Sequence, residues 1–429
     1  MKELLVYVPK NSSRISYIFN HICGRMMDFE VQFTSKIETF ISFKGPKISY
    51  CKKKLGNEIF IQQYGLLEEH GINDVNIMVD YWEEADCPCF FRVSNDSDLS
   101  FDIFSASFYL LSRYEEYQPH VKNEYGCFGY EESLAFQKNF LTLPVIEIWV
   151  ECFKNLLQQK FELPENEKSY QVKVNISVEQ AYAFRHRGFV RLLGASLQDL
   201  FKFDFLKIYQ RLKTMFRLAP DPYDVYDDLV KFGQNSNIIL DFYFQLSDYT
   251  RHSKSISYNK RVYHKLIKSM GDYVKLGLRP GYEAINNFLI FKKEKKRWQN
   301  IVNQNLYATL INSDGLNFPL VFEHMIKLEI TDDYSMGYPN QIGFRAGTAS
   351  AFQFYDLNLE QSTRLVIHPY LFNSDTLQSG SFNAIEAELL RISAILRKLG
   401  LINRLTFTNA DFSLYEDHQK LYALLKKLS

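Results

Sequence analysis

The sequence lacks several features, and each absence narrows what this 429-residue chain can be. It has no net charge: fifty lysines and arginines balance fifty aspartates and glutamates. No global field therefore draws it to nucleic acid or to an anionic membrane surface. No apolar run approaches the ~18 residues of a membrane span. The opening MKELLVYVPKNSSRISYIF reaches polar and charged residues too soon for the apolar region of a secretory signal, so the expected location is the cytoplasm. The sequence carries no G-x-S-x-G elbow, no G-x-x-x-x-G-K-[ST] phosphate loop and no G-x-G-x-x-G fingerprint, which removes the usual serine-hydrolase, nucleotide-loop and dinucleotide readings. Cysteine is absent after Cys152, the last of six with Cys23, Cys51, Cys87, Cys89 and Cys127. The tight Cys87-Pro-Cys89 pair, drawn with His120 and Cys127, misses the spacing of about two to four residues usual in structural zinc sites. These thiols are expected to be reduced, small and buried.

What is present divides the chain in two. Its length suits about two to three domains, and the cysteine asymmetry and the polar, proline-containing LPENEKSYQ place a boundary between a unit at 1–163 and one at 170–429. In the first, ELLVYV, NEIFIQQ and VNIMVDYW read as strands. SRISYIFNHICGRMM and FDIFSASFYLLSRYEEYQPH read as helices, the second stopping near Pro119. In the second unit strand and helix alternate. QVKVNISV, the nearly continuous apolar NIILDFYFQL, KLGL and LINRLTFTN are strands. LLGASLQDLFKF, FLKIYQRLKTMF, KRVYHKLIKSMGDYVK and the charged NFLIFKKEKKRWQNIVNQ are helices, the KKEKKR run forming a solvated face. Asn383 and Glu386 have capping-box spacing before a helix that Gly400 stops, and SLYEDHQKLYALLKKL closes the chain. Such alternation predicts parallel strands ringed or flanked by helices, as a barrel or an open sheet.

Several strings follow one another along the chain: DIFSASFYLLSRYEEY, EESLAFQKNFL, QAYAFRHRGFVRLLG, DPYDVYDDL, EITDDYSMGYPNQIGFRAGTASAFQFYDL and VIHPYLF. Together they resemble the polysaccharide deacetylase-like proteins found chiefly in Bacteroidetes, which couple an uncharacterised N-terminal α/β domain to a NodB-homology domain of carbohydrate esterase type. That resemblance implies a distorted (β/α) barrel at 170–429 and metal-dependent removal of acyl groups from a sugar, with zinc as the usual cofactor. A bound dication lowers the pKa of its water toward neutrality, and an adjacent carboxylate takes the proton.

The residues at the implied positions depart from the pattern. In KVNISVEQAYAFRHRGF, Ser177 stands where the resemblance places the base and Glu179 where it places a metal-ligating aspartate. In KLGLRPGYEA, Arg279 stands at the position of the histidine ligand. Serine takes no proton at neutral pH, and a guanidinium has no lone pair to give a metal. At 4 Å its repulsion of a dication is about 2 to 8 kcal/mol for effective dielectrics of 80 to 20. Leu310 and Asn312, and the later Phe407-Thr408-Asn409, replace two further motif regions. Glu179 and Arg279 are expected to form an ion pair in place of a metal. Tyr182, Tyr282, Asp332, Asp333, Arg345 and Asn409 are the substrate-binding candidates. His368, before Pro369 at the end of an apolar strand, is placed where barrel enzymes put their chemistry.

The expected protein is thus a degenerate, catalytically inactive deacetylase-like barrel, without cofactor, that binds a carbohydrate, a polysaccharide or a protein partner. The alternative enzyme is a zinc-dependent sugar de-N-acetylase whose ligands include Glu179, His368 and the Asp332/Asp333 pair. A third reading is a structural or regulatory subunit of a surface-polysaccharide assembly. Arg185-His186-Arg187 is basic enough to meet a phosphate or an acidic sugar, yet three charges make a weak patch, and a solvated turn is the simpler reading.

Overall fold

The computed structural model of the protein describes residues 2–162, 169–186, 205–311, 315–414 and 418–429. Most of LPENEKSYQ, the expected helix over LLGASLQDLFKF, Arg187 and Asn312 lie outside the described residues. Among the described residues no helix is long and apolar enough to cross a membrane.

The first unit is built on a four-stranded parallel sheet, β1 (Lys2–Tyr7), β2 (Phe29–Thr34), β3 (Lys47–Cys51) and β4 (Ile59–Gln62), ordered β2-β1-β3-β4. β5 (Val79–Trp82) and β6 (Cys87–Phe90) form a separate antiparallel pair. All six cysteines are free thiols, and Cys87 and Cys89 are fully buried. The aromatic helix spans only Ile103–Leu111, because Arg113 adopts φ 53° and breaks it before a further turn at Tyr114–Tyr117. Asp102 caps it, accepting from the amides of Phe104 and Ser105, the contact an N-cap carboxylate makes to otherwise unpaired donors. Phe104 stacks on Phe19 at 3.7 Å, so the rings on this helix are core.

The second unit carries a nine-stranded sheet: β7 (Gln171–Val178), β8 (Ile239–Gln245), β9 (Lys275–Arg279), β10 (Ala308–Thr309), β11 (Asp332–Asp333), β12 (Phe352–Asp356), β13 (Gln361–Ile367), β14 (Phe372–Asn373) and β15 (Ile402–Thr408). Its order is β12-β13-β11-β10-β9-β8-β7-β15-β14, parallel throughout except for β12. The strand ladder is not closed by hydrogen bonding. β13 and β14, at or next to its two ends, are consecutive in the chain and separated only by residues 368–371.

Alternation along these strands sets a polar face against an apolar one. Pairing aligns Lys173 with Arg404, Asn175 with Thr406 and Asp241, Ser177 with Thr408 and Tyr243, and Gln245 with Arg279. The opposite face presents Val172, Val174, Ile176, Leu240, Phe242, Phe244, Leu278, Leu405 and Phe407, all buried in the main core. From Leu240 on, NIILDFYFQL is buried on both sides, as its composition predicts, whereas Ile239 is exposed, and one side is lined by Asp241, Tyr243 and Gln245.

Helix boundaries show where tertiary contacts override pattern. Ser381, not Asn383, caps the helix Phe382–Leu399, accepting from the Ala384 amide, and Gly400 ends it at φ 68° as expected. The KKEKKR run is not a wholly solvated face. Glu294 and Arg297 are buried, Glu294 accepting from the Gly281 amide and Arg297 lying 3.7 Å over the Tyr258 ring while gripping Asp248.

The two units share one apolar core and are joined by buried polar contacts. Arg14 reaches Glu360, the Tyr17 hydroxyl donates to the Gln353 carbonyl, and Glu147 accepts from Thr348, Ala349 and Ser350. Arg113, Glu115, Glu116 and Arg345 form a buried ion cluster, with Arg345 forked onto Glu116 at 2.8 and 2.6 Å.

Candidate functional site

The C-terminal ends of β7, β8 and β9 bring Ser177, Glu179, Gln245 and Arg279 together. Strand pairing sets Gln245 beside Arg279, and a hydrogen bond joins the guanidinium to the Gln245 side-chain oxygen. The other arm lies 3.4 Å from Glu179, whose side chain is about a third exposed. Burial pulls the Arg279 pKa below its usual range, against the carboxylates of Glu179 and then Asp375. Ser177 is fully buried, and its hydroxyl has no hydrogen-bond partner among the described residues. Glu294 also bears on Arg279 from behind Gly281, and burial raises its carboxyl pKa to about 7.

This group of residues at the strand ends does not fit a zinc ion. Its central group is a guanidinium, which has no lone pair to give a metal, and Ser177 offers a neutral hydroxyl. Among the described residues no three His, Cys, Asp or Glu side chains converge as a metal requires.

The alternative ligand set is not brought together. His368 Nε2 lies 2.8 Å from Asp332 Oδ1, and the imidazole stacks on Tyr334 at 4.4 Å, near Lys173, Asp241 and Arg404. Lys173, Asp241 and Arg404 lie near the N-terminal ends of β7, β8 and β15. Lys173 and Glu179 are six positions apart along β7, roughly 20 Å of extended chain.

His368 does stand at a strand end, directly after β13, but its partners are Asp332 and Tyr334 rather than Glu179. The segment bends and continues: the amides of His368, Tyr370 and Leu371 donate to the carbonyls of Asp333, Met336 and Arg404, and pairing resumes at Phe372 and Asn373 against β15. The far end of this segment delivers Asp375, the residue beside Arg279. Burial and the nearby cations Arg404 and Lys173 lower the His368 pKa, against its bond to Asp332.

The other candidates disperse. Asp333 points to the other side of β11, fully buried, accepting from the Ser335 amide and hydroxyl, and burial raises its pKa to about 7. Arg345 is part of the ion cluster joining the two units. Asn409 is buried and donates to the Gln180 and Tyr223 carbonyls, holding the loop after β7. Tyr182 is buried, its pKa pushed up to about 12 by burial and then by Asp224, and Tyr282 stacks on His252 at 4.6 Å. A residue passed over in the sequence holds the loop after β7: Asp221, fully buried, accepts from the amides of Ala183, Phe184, Arg185 and Tyr223. Its signal was an aspartate before proline in DPYDVYDDL, a usual anchor of backbone turns. Arg185 turns to the Ala219 carbonyl.

A protein-family model described as a family of unknown function, DUF7033, matches residues 4–162. Among curated proteins none matches the chain. Solved structures similar to the chain include a protein from Mycobacterium smegmatis provisionally described as a polysaccharide deacetylase, at 12% identity and TM-score 0.36, covering 62% of this chain and 85% of that one. Another is a 4-alpha-glucanotransferase from Thermococcus litoralis, at 10% identity and TM-score 0.36, covering 60% of this chain and 36% of that one.

Proposed function

We propose that the chain is a deacetylase-like protein whose C-terminal mouth holds a carbohydrate without hydrolysing it. The observation that carries this reading is the guanidinium of Arg279, held between Gln245 and Glu179 where hydrolysis would need an electron-pair donor to a metal. Deacylation requires an activated water and a group to take its proton. Ser177 cannot take that proton, and Glu179 faces the Arg279 guanidinium at 3.4 Å. The same groups suit binding: a charged guanidinium and a part-exposed carboxylate can donate to and accept from sugar hydroxyl and acetamido groups.

A barrel form of the second unit belongs to the same proposal. Its support is the segment 361–373, which hydrogen-bonds to β11 at one end and to β15 at the other.

The test uses the full chain. Retention on an N-acetylated amino-sugar polymer in affinity electrophoresis is expected, with no acetate released and no stoichiometric metal by elemental analysis. Arg279→Ala is expected to abolish retention. Stoichiometric zinc with acetate release, or no retention of any glycan, would overturn the reading. The paired substitution Ser177→Asp with Arg279→His is expected to create zinc affinity that the unaltered chain lacks.

A further inference from the structure

The opposite end of the polar strand face carries a second constellation. A cavity of about 590 Å³ opens among the N-terminal ends of β7, β8, β9 and β15, lined by Lys173, Asp241, Lys275, Tyr334, His368 and Arg404. Asp241 and Arg404 are each only 6% exposed. Among the described residues, neither the Asp241 carboxylate nor the Arg404 guanidinium makes a hydrogen bond or an ion pair, and Asp241 Oδ1 and Arg404 Nη1 are buried without partners. The contact Arg404 does make is with the face of Tyr334, at 4.8 Å. Buried charges of opposite sign are rarely left without a hydrogen bond, because each loses its hydration and their attraction across a gap repays it only in part. Two such groups lining one cavity are complementary to a molecule that supplies both missing partners.

We propose that this end of the sheet binds a small anionic sugar, its carboxylate or phosphate on Arg404 and Lys173 and a hydroxyl on Asp241. The charge balance favours an anion: Lys173, Lys275 and Arg404 face the carboxylates of Asp241 and Asp332. A guanidinium fork matches the two oxygens of a carboxylate or phosphate. Asp241 is an acceptor in want of a donor, which a sugar hydroxyl provides while the sugar's anionic group lies on Arg404. Tyr334, stacked parallel to His368 at an interplanar angle of 6°, gives the cavity a flat aromatic wall beside those polar groups. The cavity's size lies within the range of small-molecule sites. Asp332 holds His368 from one side at 2.8 Å, positioning that wall.

The experiment is calorimetric titration of the full chain with glucuronate, glucose 6-phosphate, inorganic phosphate and glucose. One of the two anionic sugars is expected to bind, the two arms separating a carboxylate site from a phosphate site, while phosphate alone and glucose alone bind more weakly. Arg404→Gln, with its fold checked by circular dichroism, is expected to weaken that binding about 30-fold or more, the usual cost of removing one partner of a buried charge pair. Should that variant not fold, Lys173→Gln replaces it under the same criterion. Failure of both sugars to bind at about 10 mM, binding unchanged in the folded variant, or inorganic phosphate binding as tightly as either sugar would overturn the proposal. Arg279→Ala separates this site from the mouth: it is expected to remove polymer retention and to leave the anionic sugar bound.

Discussion

Replacing Glu116 by glutamine perturbs the junction between the two units without changing its shape. Glu116 has a side chain about 1% exposed and carries one carboxylate for two guanidiniums, accepting from Arg345 Nε and Nη2 at 2.8 and 2.6 Å and from Arg113 Nε at 2.7 Å. A glutamine leaves one acceptor and turns an NH2 group toward a cation, while Glu115 alone remains to balance Arg113 and Arg345. Removing one member of a buried, hydrogen-bonded ion group costs about 3–5 kcal/mol, most of it from the charge left behind. Glu388 on the surface, paired with Arg391 at 2.7 Å and about a third exposed, is the control. Its change to glutamine should cost no more than about 1 kcal/mol.

Urea denaturation, followed by the fluorescence of buried Trp149 in the first unit and Trp298 in the second, measures both. The acid limb adds a second check. Burial works against the Glu116 charge, but Arg345 and Arg113 prevail and hold its pKa below the usual carboxylate range. Its stabilisation is therefore complete above the unfolded-state pKa and is lost as pH falls through the lower folded-state value. Glu116→Gln should flatten that loss. A cost equal to the surface control, or an unchanged acid limb, would refute the argument and reopen Arg345 as a ligand-binding side chain.

Asp333 predicts the opposite pH behaviour. Its folded pKa of about 7 means that the folded chain keeps a proton the unfolded chain has already released, so stability falls as pH rises from about 4 to 7; Asp333→Asn should reduce that slope in urea midpoints measured across this range. Gly277→Ala should destabilise by about 1–3 kcal/mol, because the added carbon would lie 2.5 Å from the Tyr243 ring and 2.8 Å from the Ala308 carbonyl. A chemical-denaturation midpoint equal to that of the unaltered chain would show that Tyr243 moves aside freely.

The period of the sequence carried much of the fold. Alternation in QVKVNISV names the side chains that face Arg404 and Thr406, and Gly400 marks a helix end, because pleat and left-handed caps are local consequences of residue type. The aromatic pattern runs on past Leu111, but the helix breaks at Arg113, which is held by Arg345 in the other unit. The charged run at 292–297 misled for a similar reason: two of its members find buried partners that are distant in sequence, at Gly281 and Asp248.

The site divides the same way. That Ser177 cannot act as a base at neutral pH, and that the Arg279 guanidinium has no lone pair to give a metal, follows from their side-chain chemistry alone. Which residues stand near them does not follow, since it depends on how each strand is staggered against the next. That stagger sends His368 and Asp332 to one end of the sheet and Asp375 to the other, and leaves Asp241 and Arg404 buried and unpaired around a cavity. Residue type decides what a group can do; only the register of parallel strands decides with which others it does it.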